Sequence, residues 1–405
     1  MKVVVSSVDL VVKAGQLLLS AGAEIYRVEE TILRMGQAVG LKDINAYCTP
    51  TGMIFSYYDE NGKSWTVVRR ITRRAFNVKH IAGINQLSRQ FAAGDITVQE
   101  AIEKLRRLEE QPRQYVLAAN IGAVASSTAL LSLLNGGNGL DLLAAFVVGV
   151  LVFGVIGQLP VVAQVPFFRE LVIGSVSAAL AIAGQSLMPY HAAPVITGVV
   201  LVALPGANLT NSIRDIVAGD LIAGATRALE SVALSGALFG GVGAVLALTG
   251  YLHTLPEWTG AGTGNGALDV ALAFFAGALF NLHQQGPPSS IAAAGCAALL
   301  ARTVHFSAIS NGAPVALALF LGAMTAAAAS EWLARWLRLP VTAFVISGFV
   351  PLLPGLWFYH ALLAVAVGDL GDGFRSIFQG AIGVITIGSG VAVVTSVVRY
   401  LKTRP

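Results

Sequence analysis

The chain has 405 residues, of which 55% are hydrophobic and only 12% are charged, and its mean hydropathy is +0.71. Because a soluble globular domain carries about 25% charged residues, this composition excludes an ordinary soluble protein. The same figures exclude a disordered chain, a disulfide-rich scaffold and a coiled coil.

The charged residues are unevenly distributed along the chain. Residues 1–114 hold 28 of them (16 Lys/Arg and 12 Asp/Glu), whereas the remaining 291 residues hold 20, ten of each sign. The net charge of +4 therefore belongs to the first segment, as expected for a cytoplasmic flank of a membrane protein. No stripe of basic and aromatic residues accompanies it, so a nucleic-acid partner is not expected.

The first segment, 1–114, is predicted to be a cytoplasmic α+β domain. Apolar residues at helical spacing indicate helices, and alternation with an Asn61-Gly62 hairpin signal indicates strands. Thr97 and Glu100 form a capping-box pattern. The predicted helices cover 8–19, 24–39, 77–92 and 98–110, and the predicted strands cover 44–49, 53–58 and 64–71.

The rest of the chain contains ten apolar stretches, most of them about long enough to cross a bilayer. With 1–114 inside, most basic residues of this part fall at cytoplasmic ends, which predicts that both termini are cytoplasmic. Only Arg302 and Arg375 fall on the opposite side. The stretches lie near 116–134, 140–158, 168–187, 193–204, 219–250, 268–283, 289–305, 311–333, 340–366 and 377–400.

An internal repeat divides the membrane part. Leu-Pro-Gly at 204–206 and Gly-Asp-Leu at 219–221 recur at 353–355 and 368–370, an offset of 149 residues. Five spans per half is an odd number, so the second half would insert upside down. The predicted fold is therefore a polytopic helical membrane protein with about ten helices in two inverted five-helix repeats, 115–260 and 261–405. Inverted repeats with interrupted helices are typical of secondary transporters.

The two Leu-Pro-Gly segments predict broken helices that bind substrate. Free backbone groups and opposite charges at such a break suit a small zwitterion. An alternative is that Pro-Gly ends a span and that the polar residues form a solvated loop. The candidate substrate-binding residues are Pro205, Gly206, Asn208, Thr210, Asn211, Arg214, Asp215, Pro354, Gly355, Tyr359 and His360.

Four ionisable residues are candidates for proton coupling or gating, because charged residues inside a membrane are usually functional. Asp220 and Asp369 occupy equivalent places in the repeat, and either could instead cap a helix. Arg227 and Glu230, three residues apart on one helix face, could simply neutralise each other.

Ala21-Gly-Ala-Glu-Ile-Tyr-Arg-Val-Glu-Glu30, Thr49-Pro-Thr-Gly52 and the ten-span body resemble the threonine/serine exporter family of bacterial membrane proteins. The resemblance implies proton-driven export of small hydroxylated amino acids across the bacterial inner membrane. Some relatives are linked to dicarboxylate export, so a succinate-like substrate, or a channel of the same fold, is the alternative.

The N-terminal motif has two interpretations. Glu24, Arg27 and Glu30 at helical spacing would support any exposed helix, and Thr49, Pro50, Thr51 and Gly52 are ordinary turn residues. The resemblance instead favours a gate or regulatory surface.

An enzyme is the least favoured class of function. The sequence has no Ser-His-Asp order, zinc spacing or phosphate loop, and an anchored enzyme needs one span rather than ten. Cys48 and Cys296 lie in different segments, which gives neither a disulfide framework nor a metal cluster. No cofactor or metal is expected. The expected partners are an amino-acid substrate and membrane lipid, and a homo-oligomer is compatible with the sequence.

Overall fold

The computed structural model describes residues 7–59, 62–111, 113–251, 262–353, 357, 360, 361, 364 and 369–403. The chain is mainly helical and forms two compact units. The first unit comprises Met1–Gln114, Ala207–Leu229 and Gln284–Pro287. The second unit comprises Tyr115–Gly206, Glu230–His283 and Pro288–Pro405.

The first unit contains the predicted α+β elements. The three strands form an antiparallel meander in the order β1-β2-β3. All seven predicted elements are present, with ends that differ by a few residues. They are α1 (Ser7–Ser20), α2 (Ile25–Ala38), β1 (Lys42–Thr49), β2 (Gly52–Tyr58), β3 (Ser64–Arg70), α3 (Val78–Ala92) and α4 (Val98–Glu110).

The core of the first unit lies between its helices and one face of the sheet. Leu18 of α1, Ile32 of α2, Phe55 of β2 and Ile81 of α3 are all completely buried. Gly15 lets α1 and α2 approach closely, since a Cβ there would lie 2.8 Å from the Cδ1 atom of Ile32. The apolar residues at helical spacing in the helices and those that alternate in the strands thus pack into one core.

Local signals in the first unit set its turns and caps. Pro50 and Thr51 form the turn between β1 and β2, where Thr49 pairs with Gly52. The capping box of α4 is confirmed: Thr97 Oγ1 accepts from the Glu100 N–H, and the Glu100 carboxylate accepts from the Thr97 N–H. Glu60 and Asn61 of the predicted hairpin lie outside the described residues.

The remaining described residues form helices that overlap most of the predicted apolar stretches, and two further helices, Pro160–Gln164 and Gly206–Ala218, lie between those stretches. A π-helical segment at Val150–Val155 and a 3-10 turn at Ile156–Gln158 continue α6. The helices are α5 (Leu117–Leu134), α6 (Gly139–Gly149), α7 (Pro160–Gln164), α8 (Pro166–Gly184), α9 (Ala192–Ala203), α10 (Gly206–Ala218), α11 (Leu221–Thr249), α12 (Gly266–His283), α13 (Pro288–Ser310), α14 (Val315–Leu337), α15 (Thr342–Phe349) and α16 (Leu370–Thr403).

Eight helical stretches within the described residues are long and apolar enough to cross a membrane. A ninth span results if α9 and α10 count together as one bent span. The tenth predicted stretch begins as α15 and runs into residues outside the described ones. These helices define a polytopic membrane protein, whereas the inverted arrangement of two repeats stays a prediction.

Close packing of α8 against α11 depends on two glycines. A Cβ on Gly174 would lie 2.0 Å from the Leu238 carbonyl oxygen, and one on Gly241 would lie 2.2 Å from the Leu171 carbonyl oxygen. Small residues allow such backbone approach between helices in a membrane.

We expect Gly241→Ala to destabilise the protein by about 1–3 kcal/mol, the usual cost of overpacking. The neighbouring Gly240→Ala is the matched control, because a Cβ there meets nothing within 4 Å. Thermal unfolding in detergent should show a lower midpoint for Gly241→Ala alone. Equal midpoints for the two variants would show that α8 and α11 can separate without cost.

Candidate functional site

The first Leu-Pro-Gly segment breaks a helix, as predicted. α9 ends at Ala203, and Leu204 has an extended ψ of 140° before α10 begins at Gly206. The residues that follow are helical rather than a loop, so the loop of that alternative is wrong, whereas the end of a span at Pro-Gly stays an open interpretation. Five of them have buried side chains: Thr210, Asn211, Ser212, Arg214 and Asp215.

The connection between α1 and α2 presents two backbone carbonyl groups to the polar residues of α10 and α11. Gly22 has a φ of +75°, which turns the chain after α1 as glycine readily permits. The Asn211 side-chain amide donates to the Gly22 carbonyl at 2.7 Å. Arg227 Nη2 donates to the Ala23 carbonyl at 2.6 Å.

Glu24 precedes α2 and is completely buried. Its Oε2 accepts from Arg27 Nε at 2.8 Å, and its Oε1 lies 3.5 Å from Arg214 Nε. Arg214 Nη2 in turn donates to the Tyr26 hydroxyl at 3.3 Å. Burial alone would raise the pKa of Glu24, but the positive charges of Arg27 and Arg214 outweigh it and lower that pKa from 4.5 to about 2.

Asp215 supplies the cap that the Glu24 side chain does not give to α2. Asp215 Oδ1 accepts from the Ile25 N–H at 2.9 Å, and its Oδ2 lies 3.0 Å from Arg227 Nε. A carboxylate at a helix N-terminus is also stabilised by the helix dipole. Asp215 therefore binds both the backbone of α2 and the side chain of α11.

We call the following five residues the charged cluster: Glu24, Arg27, Arg214, Asp215 and Arg227. Two acids and three bases are buried or nearly so. Buried charges are tolerated only when they are paired and hydrogen-bonded. Residues of the predicted N-terminal motif thus contact residues of the predicted membrane motif.

A pair of acids lies beside the charged cluster. Glu29 Oε1 accepts from the Cys48 N–H at 2.8 Å. Burial and the nearby charge of Asp220 raise the pKa of Glu29. Asp220 is half-buried and follows Gly219, whose φ of +98° ends α10. Glu29 was not among the predicted site residues, although it belongs to the same sequence motif as Glu24.

Asp369, the repeat partner of Asp220, has a different environment. It is exposed, and its Oδ1 accepts from the Asp372 N–H at 2.9 Å. Asp369 therefore caps the N-terminus of α16.

The other predicted residues are placed as follows. Asn208 is half-buried on α10, Glu30 is exposed on α2, and His360 is helical and half-buried. Pro354, Gly355 and Tyr359 lie outside the described residues. In the described part of the chain, no three His, Cys, Asp or Glu side chains are arranged to hold a metal ion.

We expect ionised Glu24 to stabilise the fold by on the order of 3 kcal/mol above pH 4.5, since its pKa is lowered in the folded state. This contribution should disappear as the pH falls from 4.5 towards 2. Unfolding of the whole protein at several pH values should therefore show that Glu24→Gln is less stable than wild type near pH 7, with a gap that closes in acid. Glu30→Gln, an exposed residue of the same helix, should change little. A gap independent of pH would contradict the ion-pair account.

The broken helix, the buried charged cluster and eight apolar spans together define a multi-pass membrane protein with the features of a transporter. A family model for threonine/serine exporters matches residues 9–249, and a second model of that description matches residues 269–397. The chain belongs to the threonine/serine exporter family, whose members are transporters rather than enzymes.

Two relatives cover nearly the whole chain. A protein of Mycobacterium tuberculosis named "Probable threonine/serine exporter" is 27% identical over 403 residues, which is 95% of this chain and 74% of the relative. The threonine/serine exporter of Corynebacterium glutamicum is 25% identical over 409 residues, 98% of this chain and 83% of the relative. No solved structure matches this chain.

Proposed function

We propose that this protein exports small hydroxylated amino acids, threonine and serine, from the bacterial cytoplasm. The observation that carries the proposal is the charged cluster, which joins the N-terminal motif to α10 and α11 next to a broken helix. The relatives named as threonine/serine exporters support the same substrate class.

The cluster has the charges that a free amino acid requires. A substrate carboxylate would replace Glu24 on Arg214, because a guanidinium can hold a carboxylate through two hydrogen bonds. The existing Glu24–Arg214 contact is 3.5 Å long, which is longer than the Glu24–Arg27 contact at 2.8 Å and the Asp215–Arg227 contact at 3.0 Å. The ammonium group would face Asp215, and Asn208, Thr210 and Asn211 would bond the hydroxyl. Pro205, Gly206 and the second-half residues Pro354, Gly355, Tyr359 and His360 remain proposed as further substrate-binding residues.

The proposed topology places residues 1–114 and both termini in the cytoplasm. Ten spans in two inverted repeats, 115–260 and 261–405, would cross the inner membrane. The positive charge of the first segment and the basic residues at the cytoplasmic ends of the spans support this orientation.

Transport is proposed to be driven by the proton gradient, with Asp220, Arg227 and Glu230 as coupling or gating residues. The charge of Asp220 supports this, because it helps to raise the pKa of Glu29, and a carboxyl group with a raised pKa, here that of Glu29, can exchange a proton nearer neutral pH.

The substrate is tested by efflux from preloaded cells or proteoliposomes with labelled threonine, serine, alanine and succinate side by side. The proposal expects threonine and serine to leave faster than alanine and succinate, in a manner that saturates. Efflux of succinate alone would replace the proposal by a dicarboxylate exporter, and non-saturating efflux of all four would indicate a channel.

We expect Thr210→Val to reduce the preference for threonine over alanine by roughly tenfold, because the hydroxyl of threonine would lose a buried partner. Thr210 is 3% exposed on α10. The matched control is Thr226→Val, since Thr226 is exposed and bonds only along its own helix to the Ile222 carbonyl at 2.7 Å. An unchanged threonine-to-alanine ratio in Thr210→Val would remove Thr210 from the site.

A further inference from the structure

A second buried ion pair lies in the second unit, away from the motifs that the sequence singled out. Arg302 of α13 is eight residues before the end of that helix, and its side chain is 14% exposed. Its Nη2 donates to Asp269 Oδ2 at 3.1 Å. A charged side chain on an apolar membrane helix is costly, so it calls for an explanation beyond composition.

Asp269 is held in place by more than Arg302. Its other oxygen, Oδ1, accepts from the Thr263 N–H at 3.0 Å and from the Thr263 hydroxyl at 2.7 Å. Asp269 also stands in the first turn of α12, where a negative charge is favoured by the helix dipole. The carboxylate therefore has its partners without needing all of the Arg302 donors.

The guanidinium of Arg302, by contrast, has more N–H donors than the acceptors around it satisfy. A guanidinium carries five N–H groups. The buried Nε of Arg302 has no hydrogen-bond partner, and Nη1 reaches the Pro351 carbonyl only at 3.4 Å. Leaving a buried charged donor unsatisfied is expensive, which points to an acceptor that is present during part of the transport cycle.

The Pro351 carbonyl belongs to the segment that ends α15. Val350–Leu352 is a 3-10 turn, and it leads into the second Leu-Pro-Gly at 353–355. Arg302 therefore contacts an acid of α12 through Nη2 and a backbone carbonyl of the 3-10 turn after α15 through Nη1. A zwitterion fits this arrangement: its carboxylate on the guanidinium and its ammonium towards the carbonyl.

We propose that Arg302 binds the carboxylate of the exported amino acid, with Asp269 as the residue that positions the guanidinium. The inference rests on the proposed function for the identity of the substrate. It adds a carboxylate-binding site in the second unit that is independent of the charged cluster.

The test uses the full chain in proteoliposomes and compares threonine with threonine amide, which lacks the carboxylate. Arg302→Gln should raise the half-saturating concentration of threonine by about tenfold, the loss of roughly one charge-assisted hydrogen bond, and should leave that of threonine amide within about threefold. The half-saturating concentration of threonine for Arg302→Lys should lie between those of wild type and Arg302→Gln, because lysine keeps the positive charge but lacks the several N–H donors of the guanidinium. Arg375→Gln is the control, since Arg375 is an exposed arginine of α16.

Arg302→Gln leaves Asp269 buried with one partner fewer, so the variant could lose stability. The double variant Asp269→Asn/Arg302→Gln removes both charges and should fold, with the same selective loss of threonine affinity. Wild-type threonine affinity in the folded double variant would overturn the proposal and leave the pair as an anchor for α12.

Failure of the proposed function would be visible separately. If wild type moves succinate and not threonine, the substrate assignment is wrong. A tenfold loss of succinate affinity in Arg302→Gln would then still support a carboxylate site at Arg302, and an unchanged affinity would overturn it.

Discussion

Arg227→Gln is expected to abolish amino-acid efflux and to lower the stability of the protein. Arg227 is 2% exposed, and it holds Asp215 through Nε and the Ala23 carbonyl through Nη2. Removing it leaves the buried Asp215 carboxylate facing Glu24 without its nearest positive charge. Breaking a buried pair in this way costs about 3–5 kcal/mol. Efflux of labelled threonine and the thermal midpoint in detergent measure the two effects.

Two comparisons separate the role of the charge from simple misfolding. Asp215→Asn/Arg227→Gln removes both charges, so it should recover most of the stability and none of the efflux. Arg107→Gln removes an exposed arginine that pairs with Glu103 at 3.0 Å, and such surface pairs contribute about 1 kcal/mol or less. If Arg227→Gln is stable and exports threonine normally, the charged cluster has no part in transport.

The elements of the first unit could be predicted because their signals are local. The helical spacing of apolar residues predicts α1 and α2, and the strands pair as the alternation in the sequence indicates. Thr97 and Glu100 are three residues apart and meet as a capping box. Glu24 and Arg27 are also three residues apart, and their ion pair forms as the spacing indicates.

The construction of the charged cluster could not be predicted, because its contacts join residues far apart in the chain. Asp215 binds the backbone of Ile25 across 190 residues, and Arg227 reaches Ala23 across 204 residues. Because Glu230 lies three residues after Arg227 on α11, the sequence predicted these two as partners. It gave no indication that Arg227 contacts Asp215 of α10. Each motif could be recognised in the sequence. Only the folded structure shows that Asp215 of the membrane motif caps α2, which carries the N-terminal motif.

The same limit applies to the division of the chain. The drop in charge after residue 114 predicted a boundary there, yet residues 207–229 pack with the first unit. The charge content of a segment indicates whether that segment is exposed to water or to lipid. The division into compact units depends instead on contacts between residues that are far apart in the chain. All four charged residues in 207–229 interact with residues of the N-terminal segment: Arg214 and Asp215 bind α2, the charge of Asp220 acts on Glu29, and Arg227 binds the Ala23 carbonyl.

The two repeat-related acids, Asp220 and Asp369, are expected to differ in function. Asp220→Asn is expected to lose efflux driven by the proton gradient, while exchange of threonine across the membrane continues. The reason is that Asp220 is half-buried and its charge helps to raise the pKa of Glu29, whereas asparagine carries neither a charge nor a transferable proton. Asp369→Asn should keep both activities, because Asp369 is exposed and caps α16 through the Asp372 N–H, and asparagine caps a helix as well as aspartate does.

Gradient-driven efflux and counterflow of labelled threonine, measured in the same proteoliposomes, distinguish the possible outcomes. Loss of the gradient response in Asp220→Asn alone places proton coupling in the first half of the molecule. The response of Glu29→Gln then tells whether the proton is shared, since a paired site should lose coupling when either acid is neutralised. If Asp220→Asn and Asp369→Asn both respond normally to the gradient, Asp220 carries no proton. Coupling would then have to involve Asp215, Glu230 or His360.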